Sequence, residues 1–298
     1  MALEDICRFK GRHHKWFPFS SLEDTHTSLY MMDYFNLRWR ALRTSEKNNA
    51  IPLDFFMPPS PNSGSFCLPN HSSTVRRPFP LSHGTTTLGF IFQGGVIAAA
   101  DTRASAGGLV ACPAVHKITP IHSHLVVTSS GSGADCMLWE RILIREIRLY
   151  QLRHRRRLSI RGTAKLLSFM LHPFKGTEVC VALTLCGWDK EAGDCLIYVC
   201  SDGARLQGDI FSVGSGSPYA YGVLDGGLKW SLSKDEAISL AREAVFRATH
   251  RDAYSGNNVD LFHITAQGWS QRKREDLKEE YYRDMERRNK GLFYALKN

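Results

Sequence analysis

From residue 85 onward, hydrophobic and polar positions fall into short regular runs, whereas residues 1–84 sustain no period of 2 or 3.6. Residues 85–92 are rich in β-branched and aromatic side chains, Gly94 and Gly95 turn the chain, and residues 96–100 return, which predicts a hairpin. Further short strands are expected at 108–110, 116–119 and 125–129. A Gly-rich loop over residues 129–133 then opens a helix from about Asp135, on which Cys136, Trp139, Leu143, Ile147 and Tyr150 recur at spacings of three and four. A second helix starts from a Ser159 cap, carries Ile160, Ala164, Leu167 and Leu171 on one face, and stops at Pro173. Strands follow at 179–188 and 196–200, with Asp202-Gly203 making a hairpin turn. Ser233 to Glu236 reads as a capping box for a helix whose small residues Ala237, Ala241, Ala244 and Ala248 favour close packing, and a last strand is expected at 258–265. The helices cluster instead of alternating with strands, so the class is α+β.

Composition divides the chain at the same place. Eight of the 12 prolines lie in residues 1–84, and 21 of the 24 glycines lie beyond it. Residues 1–84 therefore read as a loosely structured leader. The last 28 residues, 271–298, are dense in both charges and are expected to project from the core.

Charge and cysteines narrow the function classes. The net charge of +9 gathers partly at Arg141, Arg145, Arg148, Arg153, Arg155, Arg156, Arg157 and Arg161. Arg141, Arg145 and Arg148 fall opposite the apolar face of the first long helix. No aromatic residues interleave with them for stacking, so a solvated or subunit-contacting face is expected, not a nucleic-acid site. Residues 81–100, a long uncharged stretch, are broken by threonines and glycines and read as two strands, so no membrane partner is expected. The N-terminus has no basic segment followed by an apolar one, and the chain is expected to stay inside the cell. Eight cysteines without a C-x-x-C pair suit reduced, buried thiols, and no metal or cofactor is expected. Asn70-His71-Ser72 matches the glycosylation sequon by chance on that reading.

The P-loop, the serine nucleophile elbow, the H-E-x-x-H zinc motif and G-x-G-x-x-G are all missing. One remaining candidate lies at the composition boundary, His83-Gly84-Thr85-Thr86-Thr87-Leu88-Gly89. A threonine hydroxyl needs an adjoining base, and its own α-amino group can serve once the Gly84–Thr85 bond is cut. Glycine before the threonine leaves the carbonyl open to attack by the Thr85 hydroxyl. Taken alone, the heptapeptide reads more simply as a threonine-rich strand entry. Its company changes that: Asp101 follows Thr85 by 16 residues and Lys117 follows Asp101 by 16, so adjacent strands can bring a carboxylate and an ammonium beneath one hydroxyl. Gly131 sits before a helix, where a backbone N–H can face an oxyanion, although a plain tight turn explains it equally well. Ser215, Asp252 and Ser255 add groups that can hold a charged N-terminus, or act as turn and cap residues.

Together these segments resemble the catalytic beta subunits of the 20S proteasome. The resemblance covers residues 85 to about 270, through GTTTL, AADTRAS, SSGSGADC, WER, CGWD, FSVGSGSPYAYGVLD and RDAYSG. It is nearest the chymotrypsin-like, beta-five type, and the long basic leader and polar pocket resemble its thymus-specific branch. The resemblance implies a four-layer αββα sandwich of two antiparallel sheets flanked by helices, the N-terminal nucleophile hydrolase fold. It implies a propeptide of residues 1–84 removed between Gly84 and Thr85, a catalytic domain at 85–270 and a charged extension at 271–298. Thr85 would be the nucleophile, supported by Asp101 and Lys117. Ser215, Asp252 and Ser255 would organise the free amine, and the Gly131 N–H would form the oxyanion hole. A substrate strand would be added alongside Ser105 and residues 131–133. The pocket before the scissile bond would involve Ala104, Val115, Thr119, Ser129 and Gly133, where related subunits present a methionine at the Ser129 position and an aliphatic residue at the Thr119 position. Hydroxyls there imply weaker cleavage after bulky apolar residues. The implied partners are the other alpha and beta subunits of the particle and unfolded polypeptide substrates, in cytoplasm and nucleus. A structural ring subunit with an uncleaved leader is the alternative.

Overall fold

The computed structural model describes residues 84–177, 179–283 and 285–286. The expected leader before Gly84, with Cys7 and Cys67, lies outside the described residues, as does the end of the chain.

Two antiparallel sheets form the centre. The first contains β1 (Thr87–Phe92) and β2 (Gly95–Asp101), the expected hairpin, paired Thr87 to Ala100 through Phe92 to Gly95. A small hairpin, β3 (Ala104–Ala106) with β4 (Leu109–Cys112), follows. The second sheet is built in order from β5 (Ile118–His122), β6 (Leu125–Gly131), β7 (Val181–Asp189), β8 (Gly193–Cys200) and β9 (Arg205–Gln207). Then β10 (Ile210–Val213) returns to the outer side of β1, and β11 (Asn258–Thr265), β12 (Gly268–Gln271) and β13 (Glu275–Asp276) complete the first sheet.

Side-chain alternation along the hairpin explains the layering. Leu88, Phe90, Phe92, Ile97 and Ala99 point to one core cluster with helices α3 (Ser217–Gly227) and α4 (Lys234–Arg251). Val96, Ala98 and Ala100 point the other way, to a second cluster shared with Ile118, Val126, Cys186 and Leu196 of the second sheet. Gly89 leaves the intersheet space open, since a Cβ there would lie 3.0 Å from both Cys186 Sγ and Leu196 Cδ1. On the far side of the second sheet lie α1 (Gly133–His154) and α2 (Ile160–Leu171). The result is the expected αββα sandwich. Each fully buried Phe or Leu in these clusters contributes about 1.5–3 kcal/mol through burial.

The helix starts follow their local signals. Ser159 Oγ accepts from the Gly162 N–H, and Ser233 makes the full reciprocal capping box with Glu236. Other expectations need correction. Residues 129–131 are not a loop: they end β6, paired with Ala182 and its neighbours, and Ser132 alone separates β6 from α1. Pro173 does not end the chain's helical path at once, because residues His172–Phe174 continue as a 3-10 turn. The stretch after Gln271 does not simply project. β13 pairs with β11, Leu277 joins the first core cluster, and Arg274 Nε donates to Asp260 Oδ1 at 2.7 Å. Among the described cysteines Cys136, Cys186 and Cys195 are buried and reduced as expected, but Cys180 is exposed. The helix arginines Arg141, Arg145 and Arg148 face solvent. Among the described residues no helix is long and apolar enough to cross a membrane.

Candidate active site

Thr85 stands just before β1, at the end of the sandwich where β2 also finishes. The β1–β2 hairpin carries the chain back by one strand length, which places Asp101 beside Thr86 although 15 residues separate them. The Asp101 backbone N–H donates to Thr86 O at 3.0 Å, and the Thr86 N–H donates to Asp101 Oδ1 at 2.9 Å. Lys117, at the entry to β5, reaches across from the second sheet and donates to the same Oδ1 at 2.7 Å. Asp101 Oδ2 accepts from the backbone N–H groups of Arg103 and Gly256, at 3.1 and 2.9 Å. The carboxylate is thus fully buried and held by four donors. Lys117 is 6% exposed. Burial pushes its pKa below the usual lysine value, and the Asp101 charge opposes that shift.

A second branch starts at the Thr85 backbone nitrogen, whose N–H donates to Ser215 Oγ at 3.1 Å. Ser215 Oγ donates to Asp252 Oδ2 at 2.6 Å, Ser255 Oγ donates to the same oxygen at 2.6 Å, and Thr86 Oγ1 donates to Ser255 Oγ at 2.8 Å. The two branches meet at Thr86, so Lys117, Asp101, Thr86, Ser255, Asp252, Ser215 and Thr85 form one connected network. The Thr85 hydroxyl itself donates to Gly84 O at 2.7 Å. The candidate nucleophile, the amine position and both carboxylates are therefore brought together at one end of the sandwich.

The remaining expected residues are placed around this centre. Gly131 ends β6 at φ 115°, and a Cβ there would sit 2.5 Å from Cys180 O, so only glycine fits. Ala104 and Ser105 lie on β3, and Ser105 Oγ donates to Tyr254 O at 3.2 Å. The Val115 N–H donates to Thr102 O. Thr119 lies on β5 and Ser129 on β6, both half-buried, while Gly133 is exposed at the start of α1. Among the described residues no group of histidine, cysteine and carboxylate side chains could hold a metal.

Several contributors escape sequence reasoning. Thr86 links the two branches, although nothing in the threonine run distinguishes it from its neighbours. The Gly84 requirement is steric as well as chemical, because a Cβ there would lie 1.7 Å from Tyr254 Cβ. Gly214, at φ 105°, carries a virtual Cβ 2.0 Å from Thr85 O, and one on Gly216 would meet Thr86 Oγ1 at 1.9 Å. The glycines of the 211–217 segment are the signal that could have found this close approach. Gly214→Ala is expected to add strain of about 1–3 kcal/mol beside the Gly84–Thr85 peptide, and to lower the melting temperature. A thermal unfolding scan against the unsubstituted chain checks this.

Comparison with known proteins now decides the affiliation. The family model described as "Proteasome subunit" matches residues 81–264. The chain belongs to the proteasome subunit family. It is 48% identical over 189 residues to proteasome subunit beta type-5 of Gallus gallus, covering 63% of this chain and 73% of the relative. It is 49% identical to beta type-8 of Rattus norvegicus, over 63% and 68%, and 48% identical to the probable beta type-5 of Schizosaccharomyces pombe, over 63% and 69%. This is a proteasome beta subunit of the type-5 and type-8 kind, a threonine-type endopeptidase by that kinship, and it assembles with other proteasome subunits.

Proposed function

We propose that the chain is a beta-five-type catalytic subunit of the 20S proteasome, whose N-terminal Thr85 is exposed by self-cleavage and then cuts peptide bonds of unfolded proteins inside the assembled particle. The observation that carries this reading is the Thr85 hydroxyl beside the preceding carbonyl, donating to Gly84 O at 2.7 Å, within a network that also grips the Thr85 nitrogen.

In the first step Thr85 Oγ1 attacks the Gly84 carbonyl carbon, the C–N bond breaks, and the hydroxyl proton passes to the Thr85 nitrogen. Water then hydrolyses the resulting ester, leaving a Gly84 carboxylate on the leader of residues 1–84 and a free amine on Thr85. That amine inherits the Ser215–Asp252–Ser255 cradle. In each later cycle it takes the Oγ1 proton as Oγ1 attacks a substrate carbonyl, and returns a proton to the leaving amine. Lys117, whose proton affinity burial has reduced, is joined to the threonine segment through Asp101 and the Thr86 N–H, and on this reading it assists these transfers. The Gly131 N–H receives the oxyanion. Substrate lies extended beside Ser105 and residues 131–133.

The pocket formed by Ala104, Val115, Thr119, Ser129 and Gly133 gives weakened preference for bulky apolar residues, and on this reading the subunit is of the thymus-specific branch, supplying peptides for MHC class I display in T-cell selection. It acts in cytoplasm and nucleus. Ser129→Met is expected to raise cleavage after leucine by up to about tenfold, since burying a large apolar side chain is worth about 1.5–3 kcal/mol. Fluorogenic peptides ending in leucine measure it.

The test is mass spectrometry of assembled particles treated with a threonine-directed electrophile. A chain that starts at Thr85 and carries the adduct there is expected. A chain retaining residues before Thr85 would sink the enzyme reading and leave a structural ring subunit.

A further inference from the structure

Lys117 ends an irregular stretch, residues 113–117 between β4 and β5, in which Pro113, Ala114 and His116 are exposed. Side chains from elsewhere in the fold take up its carbonyls. On one side Thr102, the residue after Asp101, donates from Oγ1 to Pro113 O at 2.7 Å, and its carbonyl accepts from the Val115 N–H at 2.9 Å. On the other side stands Arg274. Its Nη1 donates to Ala114 O at 3.0 Å, and its Nη2 donates to His116 Nδ1 at 3.0 Å and lies 3.5 Å from Val115 O.

The guanidinium is itself fixed from behind. The pairing of β13 with β11, Val259 to Glu275, sets Arg274 across from Asp260, and its Nε donates to Asp260 Oδ1 at 2.7 Å while Nη2 donates to Oδ2. Asp260 is buried on β11 opposite Ala100, the residue before Asp101. Arg274 thus ties the strands that carry Asp101 to the stretch that delivers Lys117. A planar fork of donors can grip a carboxylate and a carbonyl on opposite edges at once, which a lysine ammonium cannot. Arg274 belongs to neither core cluster and its side chain is 24% exposed, so its removal empties no core.

We infer that Arg274 is a positioning residue for Lys117, clamping residues 114–116 to Asp260 so that the ammonium stays on Asp101 while Thr85 exchanges protons. The inference rests on the endopeptidase reading and adds a residue beyond RDAYSG, the last of the segments that carry the resemblance. The Lys117–Asp101 contact of 2.7 Å joins groups delivered by different sheets, so a slack entry to β5 misplaces one against the other. A misplacement of about 1 Å costs catalysis up to about a hundredfold.

Two fluorogenic peptides, with leucine or alanine before the scissile bond, test this on assembled particles, with rates counted per free Thr85 and only the part that Thr85→Ala removes. Arg274→Leu/Asp260→Asn takes away both charges together and strands no buried carboxylate. It is expected to lower kcat on the order of tenfold, by the same factor for both peptides and with little change in KM for the alanine peptide. A role in the fold alone would reduce the yield of particles and leave kcat per free Thr85 at the wild-type value, which overturns the inference. A loss confined to the leucine peptide overturns it too, since the stretch would then shape only the pocket. Where the double variant does not assemble, Arg274→Lys decides: it keeps the charge beside Asp260 without the fork, a several-fold loss of kcat is expected, and wild-type kcat defeats the assignment. Electrophile labelling separates the two levels: an unlabelled wild-type Thr85 defeats the endopeptidase reading, whereas a labelled Thr85 with undiminished kcat in the variants defeats the Arg274 assignment alone.

Discussion

Thr85→Ala is expected to leave the peptide bond after Gly84 intact in fully assembled particles and to abolish the cleavage that this subunit contributes. The reason lies in the local wiring. Thr85 Oγ1 is the atom 2.7 Å from Gly84 O, and the other hydroxyls nearby are already engaged: Thr86 Oγ1 with Ser255, and Ser215 with Asp252. Removing Oγ1 leaves no substitute at that carbonyl. Losing a covalent nucleophile costs on the order of a millionfold in turnover where it has been measured in other hydrolases. The same substitution disturbs the fold little, because alanine keeps the Cβ that packs near Gly214 and the backbone N–H to Ser215. The readouts are the mass of the chain in purified particles and the rate on peptide substrates. A chain cut at residue 84 despite the alanine would show that another group cleaves the leader. Thr85→Ser retains the hydroxyl, so cleavage at residue 84 is expected to persist with serine in place.

The sequence carries the type of site more clearly than its wiring. The threonine run, Asp101 and Lys117 are readable because a hairpin of known length and a following strand bring them together. The backbone donors to Asp101 from Arg103 and Gly256 are not readable, since any residue supplies an N–H. Arg274 is hidden for a related reason: an arginine in a charge-dense tail reads as a solvated charge, and only the pairing of β13 with β11 puts it against Asp260. In the fold, the long amphipathic helices and the capping box are legible. β3, β9 and β10 are not, being three or four residues long with few alternations. α3 is obscured because Pro218, Gly222, Gly226 and Gly227 depress helix propensity, and it buries only Ala220 and Leu224. Its stability comes from packing beside α4 in the core cluster, which is a tertiary effect.

Asp101→Asn is expected to be the most damaging change that spares the nucleophile. Four donors converge on this carboxylate: the N–H groups of Thr86, Arg103 and Gly256, and the Lys117 ammonium. An asparagine offers one oxygen and one NH2, so at least one pair of donors faces another donor. The Lys117 ammonium also loses its counter-charge while remaining 6% exposed, and breaking a buried pair on one side costs about 3–5 kcal/mol. With the Asp101 charge gone, nothing comparable offsets the burial that already lowers the lysine pKa, so its proton affinity falls further. Two consequences separate in experiment. The yield of assembled particles should fall because the precursor is less stable, and the particles that do form should process and cleave at least about a hundredfold more slowly, because both Lys117 and Thr86 lose their anchor. Adding Lys117→Met removes the uncompensated charge, so the double variant Asp101→Asn/Lys117→Met is expected to regain part of the assembly yield without regaining activity. Recovery of both together would mean that the pair serves only the fold. Recovery of assembly alone places the Asp101–Lys117 pair in the proton chemistry of Thr85, since packing would then be restored around a site that still cannot activate its hydroxyl.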